Sequence, residues 1–548
     1  GNVSNQGMIR ADDRLTIDTG SLLNDRGGIS AGGNARITAV EDILNNSGLI
    51  QGGNVALVAG RDLKSVSGID VASIRSGGSL ALEAGRDLAL VGSQTRARGN
   101  AALEAGRDLN LTTQMQGDGS LRRTTLDVGG GLSLDAGHDL NLTAVTAKAG
   151  ASVHATAGND INLNALTTTE QGGWASNRYT RETLNASGIE AGGSLGMQAG
   201  QDVNLQAAQL KAGDGLAVVA GRDLNLQAET TTNTSQQQSR GKRFSQTTQS
   251  MDETVHGTSL QAGGDIALVA GRDANLTATQ VGSTDGGISI AATRDVNLLA
   301  AQEDHSWEQE TTRRKKGLLS SKTTTTYDAT RDSLVVGTTL SGETVTIGAG
   351  RDVVAQAAQV AATGDVVVAA TRDLTIGTAT STHSEEHDKT VKRSGVFGGG
   401  GFNLTIGQSK LEKGLEIEQS APQGSLIGST DGRVNLSAGN TLHITGSDVL
   451  SKTGTQLVGG QVVIDAAQGT TDVHQSTKQK SAGINVGLTG GVVDAALAAY
   501  GAAKAAGNAQ DDRLKALYAV QAANAAAGVG GAMQQGASGA PDGVSLRI

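Results

Sequence analysis

The chain has 548 residues, a formal net charge of −10, 79 glycines, two prolines and no cysteine. The acidic balance and the scarcity of aromatics (two Trp, four Tyr, three Phe) argue against a nucleic-acid binder, and the lack of cysteine excludes disulfides and thiolate chemistry. No signal peptide and no apolar run of eighteen or more residues is visible, so nothing in the sequence targets or spans a membrane unaided.

The first sixty residues repeat a short phrase: Asn5-Gln6-Gly7-Met8-Ile9, Asp25-Arg26-Gly27-Gly28-Ile29 and Asn46-Ser47-Gly48-Leu49-Ile50, with the isoleucines 20 and 21 residues apart. From residue 61 the phrase becomes AGRDL feeding a Leu-x-Leu segment, intact at 59, 84, 105 and 220 and varied at seven further positions between 136 and 370. Asp87 to Asp108, Asp139 to Asp160, Asp202 to Asp223 and Asp352 to Asp373 are each 21 residues apart, and Asp160 to Asp202 is 42. A unit this short cannot fold alone. Ordering its backbone costs roughly 1–2 kcal/mol per residue, and its few aliphatic groups return only about 1.5–3 kcal/mol each. It must bury its apolar face against copies of itself, as a solenoid does.

Alternation identifies the solenoid. In SLALEAGRDLAL, residues 79–90, a period of two puts Leu80, Leu82, Ala84, Leu88 and Leu90 on one face, which is a strand pattern. A shift of 21 lands on Ala101, Leu103, Ala105, Leu109 and Leu111, so like residues stack. The expected fold is all-β: a right-handed parallel β-helix of about 21 residues per coil. Roughly twenty such coils, with strands ~4.8 Å apart, would give a rod on the order of 100 Å. Abundant glycine suits several turns per coil, and the two prolines, Pro422 and Pro541, leave most ladders unbroken. The recurrent Arg-Asp pair is expected to form a solvated charge ladder, and outward Asn110, Asn141, Asn162, Asn204 and Asn225 amide ladders.

Insertions interrupt the 21-residue ruler near 228–256, 302–333 and 380–424. Each runs from a polar stretch through a basic cluster and back: Lys242-Arg243-Phe244, then Arg313-Arg314-Lys315-Lys316-Gly317-Leu318-Leu319, then Lys392-Arg393-Ser394-Gly395-Val396-Phe397. These are expected to be extruded β-hairpins with basic tips. Trp174 and Tyr179 lie in a shorter excursion, and Phe244, Trp307, Tyr327, Phe397 and Phe402 lie in the long ones. The rings can brace their hairpins through cross-strand pairs. They can also join Lys242, Arg243, Arg313, Arg314, Lys315, Lys316, Leu318, Leu319, Lys392 and Arg393 in contacting a receptor, glycan or lipid surface. Residues 483–548 turn alanine- and glycine-rich, and helices over 492–506 and from Asp511 to before Gly528 are expected, as a cap on the rod or a spacer.

Catalytic motifs are nearly lacking. His383-Ser384-Glu385-Glu386-His387 matches H-x-x-E-H, whose zinc chemistry needs a helix, whereas its polar, Thr-rich setting favours a strand; no metal, cofactor or catalytic residue is expected. Polysaccharide-cleaving β-helices use a carboxylate and basic cluster in a groove, and no such cluster stands out from the Arg-Asp ladder.

The AGRDLNL coils, the N-x-G-x-I coils and above all residues 313–353 resemble the haemagglutinin repeats of filamentous-haemagglutinin-like exoproteins, a family that includes effectors of contact-dependent growth inhibition in Gram-negative bacteria. The resemblance implies a secreted, cell-surface filament exported through an outer-membrane β-barrel two-partner-secretion transporter. It also implies contact with the target cell's outer membrane or a surface receptor and delivery of a C-terminal toxin carried by the same chain. The family's N-terminal secretion domain, with its Asn-Pro motif, has no match because both prolines lie beyond residue 421, and no VENN boundary precedes Ile548. The chain is therefore expected to be an interior fragment. A filamentous adhesin is the alternative, and a polysaccharide-active enzyme a more distant one.

Overall fold

The computed structural model describes residues 1–399 and 403–483. The tail helices expected beyond 483, and Phe402, lie outside the described residues. Three long parallel sheets of 16, 15 and 15 strands form the sides of a shaft. Each coil contributes one strand to each side, as Leu80–Ala84, Leu88–Val91 and Gln94–Ala97 do before Ala101–Ala105 begins the next coil. The described residues thus form a parallel β-helix. Sixteen strands at ~4.8 Å make a shaft of about 70 Å, shorter than the rod expected from chain length because the insertions consume residues without adding coils.

The core is the stacked apolar face read from the alternation. Leu82 stands over Leu103, Leu88 over Leu109 and Leu90 over Leu111, and all six are at most 1% exposed. Replacing unlike neighbours by identical ones lets the same rotamer recur coil after coil, so one packing solution serves the whole shaft.

The glycine of AGRD has a specific cause. A Cβ at Gly106 would fall 2.3 Å from the carbonyl oxygen of Gly85, and one at Gly221 2.1 Å from that of Gly200. A Cβ is nevertheless accommodated at Val40, Thr293 and Thr371, whose coil-to-coil hydrogen bonds of 3.0, 3.2 and 3.1 Å are close to the 2.9–3.1 Å at the glycines from Gly60 to Gly439.

The first coils differ inside. Asn5 donates to Asn24 and Asn24 to Asn45, each at 2.8 Å, and Asn45 donates to Ser65 at 3.2 Å. Asn24 and Asn45 are at most 1% exposed, so this is an interior amide ladder under the N-x-G turns. The outward ladder is also present: Asn141 to Asn110 at 3.0 Å, then Asn162, Asn204 and Asn225 each to the previous coil at 2.9 Å.

Candidate interaction surface

Every insertion leaves the shaft at one corner, between the 16-stranded side and its successor. The four hairpins pair Leu166–Trp174 with Asn177–Asn185, Glu229–Gly241 with Phe244–His256, Ala301–Lys316 with Ser320–Val336, and Ala379–Gly399 with Asn403–Gln423. They depart from every second coil, and a last strand, Thr470–Gly483, departs from the same corner two coils after the fourth hairpin. A smaller ribbon, Gln114–Met115 with Leu121–Arg122, keeps the same two-coil interval before the first hairpin.

That interval matters because two coils advance the shaft by about 9.6 Å, which is also the width of a two-stranded hairpin. The hairpins therefore meet edge to edge. They and the last strand form one nine-stranded antiparallel sheet, so the extensions expected singly from sequence are a continuous structure.

The corners alternate accordingly. Coils without an insertion turn on a left-handed residue: Ala144, Ala207, Ala278 and Ala357 have φ between 47° and 53°. Coils with a hairpin close its base with a buried hydroxyl. Thr258 donates to the carbonyls of Leu205 and Gln227, both at 2.9 Å, Thr338 donates to Leu276 and Leu299 at 3.0 and 2.9 Å, and Ser187 and Ser425 act alike. Each gives a second hydrogen bond to a strand-end carbonyl that already accepts from the left-handed residue of the preceding coil, as Gln227 does from Ala207 and Leu299 from Ala278, both at 3.0 Å.

Register sorts the residues singled out from sequence. Tyr179, Ser235, Ser250 and Trp307 lie in one row across the first three hairpins, continued by Thr330, Glu385, Ile417 and Val473. Trp174 shares that face and is 85% exposed. Phe244 is on it too, with the Arg313 guanidinium 5.7 Å from its ring centroid. Tyr179 donates to Glu170 at 3.0 Å. Tyr327 lies on the opposite face, between Glu310 and Asp388, and its hydroxyl is 3.4 Å from Arg331. The aromatic residues thus both brace the sheet and gather mostly on one side.

Lys242 and Arg243 form the second hairpin's turn, and the Arg243 carbonyl accepts from Arg314 N–H at 2.8 Å. Arg313, Arg314, Lys315, Lys316, Leu318, Leu319, Lys392 and Arg393 lie at the outer end of the third and fourth hairpins. Phe397 is on the fourth hairpin's strand, and its side chain is outside the described residues. Sequence reasoning missed Leu411, Leu415, Ile417 and Val473, which join the face of Trp307. Their signal was the alternation in LEKGLEIEQ, residues 411–419.

Histidines concentrate at the seams between hairpins. His305 is 2.5 Å from Asp252, His383 is 2.5 Å from Asp332 and His387 is 2.9 Å from Asp328, each directly across a seam. The H-x-x-E-H segment is a strand: Glu386, the motif's base, points to the other face, and Glu385 sits between the imidazoles at 3.3 and 3.8 Å.

The turn ladder has the structural character expected of it. Arg107 grips Asp87 of the preceding coil with two hydrogen bonds, at 2.8 and 2.6 Å, and Arg86 grips Asp62 at 2.8 and 2.7 Å. The Arg86 hydrogen bonds hold Asp62 down at about 2. Where arginine gives way to His138, the imidazole lies 3.1 Å from Asp139 and 3.5 Å from Asp108. This trio could gather around a cation, but the histidine simply occupies the arginine's place in the ladder.

Comparison with known proteins agrees with the repeat. The curated relatives include a tRNA nuclease CdiA of Escherichia coli (strain STEC_O31), 38% identical over 48% of this chain and 8% of its own length. A 16S rRNA endonuclease CdiA of Enterobacter cloacae subsp. cloacae is 37% identical over 43% of this chain and 7% of its own length. A tRNA nuclease CdiA-2 of Burkholderia pseudomallei is 29% identical over 54% of this chain and 10% of its own length. This chain therefore spans at most a tenth of these relatives. No solved structure matches. The hemagglutinin-repeat profile matches in six overlapping segments that run together from residue 70 to residue 529. With that coverage, and with coils and hairpins recurring as a repeat requires, the chain belongs to the hemagglutinin-repeat family.

Proposed function

We propose that this chain is the shaft and contact sheet of a secreted, surface-displayed exoprotein that brings a C-terminal toxin against a neighbouring bacterium. The observation that carries this reading is the merging of four insertions into one sheet beside a shaft whose polar residues are otherwise spent on ladders between coils. A shaft of stacked coils holds things apart at a fixed distance, and a sheet with rings and cations on its accessible parts is suited to touch a surface. The names of the relatives are those of nucleases, and this chain corresponds to a small share of their length, so the hydrolytic chemistry is assigned to a different part of such proteins and this region is non-enzymatic. An outer-membrane β-barrel transporter is the export partner in this reading. Stepwise docking of coils, each burying residues such as Leu224 and Leu226, can draw an unfolded chain outward without ATP.

The test replaces Trp174, Tyr179 and Trp307 by serine in the intact exoprotein and measures attachment to target cells and growth inhibition in mixed culture. Both are expected to fall while the β-rich circular dichroism is retained. Unchanged attachment by a folded variant would remove the sheet from the contact role. A toxin-sized C-terminal domain followed by a small immunity gene supports inhibition over plain adhesion.

A further inference from the structure

The turn ladder is a column of cations set between carboxylates, and in three successive coils the arginine is replaced. Arg107 bridges Asp87 of the coil before it and Asp108 of its own coil at 2.6 and 3.0 Å, and Arg222, Arg272, Arg294, Arg351 and Arg372 span the same two places in their coils. Between Arg107 and Arg222 the stacked positions are His138, Asn159 and Gln201. Asp108, Asp139 and Asp160 therefore receive no guanidinium from the coil that follows them. Occupying the arginine's place does not supply the arginine's charge, because an imidazole carries none permanently.

The carboxylates around His138 are aimed at it. Asp108 gives Oδ2 to Arg107 at 3.0 Å and turns Oδ1 towards Nδ1 of His138, 3.5 Å away. Asp139 accepts from Asn159 at Oδ1, at 2.9 Å, and turns Oδ2 to the same nitrogen, 3.1 Å away. The three atoms lie within 4.8 Å of one another, and among the described residues no other three His, Asp or Glu side chains converge so closely. A tetrahedral zinc ion with bonds of about 2.0–2.2 Å holds its ligands roughly 3.3–3.6 Å apart. Both spacings around Nδ1 are close to that length. The partners that hold the second oxygen of each carboxylate orient it as the outer partners of a metal ligand do. A nitrogen joined by two carboxylate oxygens suits zinc, whereas calcium takes six to eight oxygens.

We propose that Asp108, Nδ1 of His138 and Asp139 bind a zinc ion, with water as the fourth ligand, and that the ion ties two coils together where the ladder lacks an arginine. It joins the coil of Leu109–Thr112, from which the ribbon Gln114–Met115 departs, to the next coil, that of Leu140–Thr143.

The experiment titrates the full chain with zinc chloride by calorimetry at neutral pH, with calcium chloride as the competing ion. His138→Arg, which installs the residue that most other turns carry, is expected to remove one zinc-binding event per chain and leave the shaft folded. Asp108→Asn is expected to weaken that event by about a hundredfold or more. In hydrogen exchange, zinc is expected to raise protection of Leu109–Thr112 and Leu140–Thr143 and to leave the distant Val353–Gln356 unchanged. Zinc binding at full affinity in either variant, displacement of zinc by an equal concentration of calcium, or protection raised evenly along the shaft overturns the proposal. Loss of zinc binding from the combined His383→Gln and His387→Gln variant, with His138→Arg still binding, overturns it in favour of a metal at the hairpin seam. Circular dichroism confirms that each variant is folded.

Discussion

The single residue that best shows how this fold works is the turn glycine. Its hydrogen is replaced by a methyl group at the cost of pushing against a backbone carbonyl of the coil below, as the 2.1 Å approach at Gly221 demands. The natural Val40, Thr293 and Thr371 show that the turn can accommodate a Cβ while keeping its coil-to-coil hydrogen bond. Gly221→Ala is therefore expected to destabilise by about 1–3 kcal/mol, the range for overpacking with partial relief. Leu224→Ala, which empties a site that is 0% exposed, is expected to cost about 2–5 kcal/mol. Urea midpoints of the two variants check the order, and a Gly221→Ala loss larger than that of Leu224→Ala would mean the turn cannot shift. Both sites were legible in the sequence as repeated letters. The reason for the glycine was not, because the clash is with a residue 21 positions earlier.

At the scale of elements, the seams between hairpins behave differently from the hairpins themselves. Among their Thr, Ser and Gln pairs, two seams set His against Asp: His305 against Asp252, and His383 and His387 against Asp332 and Asp328. Burial pulls the His383 imidazole down, but the hydrogen bond to Asp332 and the charges of Asp332 and Glu385 raise it, and the net shift is upward. A folded-state value above the unfolded one means that the stabilisation is fully present below about 6.5, the unfolded value, and is lost as pH rises through the folded value. The other charged groups around this seam, Glu385, Asp328 and His387, are within the same network. Hydrogen-exchange protection of Ala379–Gly399, corrected for intrinsic rates, is expected to be full below about pH 6.5 and to weaken as pH rises above it. Solvent screening keeps the change modest, and Asp332→Asn is expected to flatten it. A protection profile indifferent to both pH and the substitution would show that backbone ladders alone hold the seam. The hairpins were readable as insertions in a ruler, but their seams were not, since each pairs residues 49 or more positions apart.

The whole molecule is two β-structures with a common measure. The shaft grows by one strand width per coil and the side sheet by two per hairpin, so a hairpin from every second coil keeps them in step. Duplicating residues 266–287 would add one coil between the second and third hairpins and open a gap of about 4.8 Å. Exchange protection is expected to disappear across the seam between Phe244–His256 and Ala301–Lys316 while the parallel coils remain protected. An intact seam would show that the side sheet sets its own spacing and the agreement is incidental. The same geometry explains why the length of a hairpin can vary along the chain, from 9-residue strands in the first to 21-residue strands in the fourth, without disturbing the shaft.

Periodicity alone determined that this chain winds into a parallel β-helix, which side chains face inward, and where the insertions begin, because each of these follows from local alternation and from a 21-residue translation. Tertiary structure decided that the insertions become one sheet, that Trp174, Tyr179 and Trp307 share a face from which Tyr327 is turned away, and that Lys315, Lys322 and Arg393 of separate hairpins fall in one row. Those outcomes depend on which corner each hairpin leaves and on how far two coils advance. Both are distances in space between residues far apart along the chain, and no local pattern of side chains encodes them.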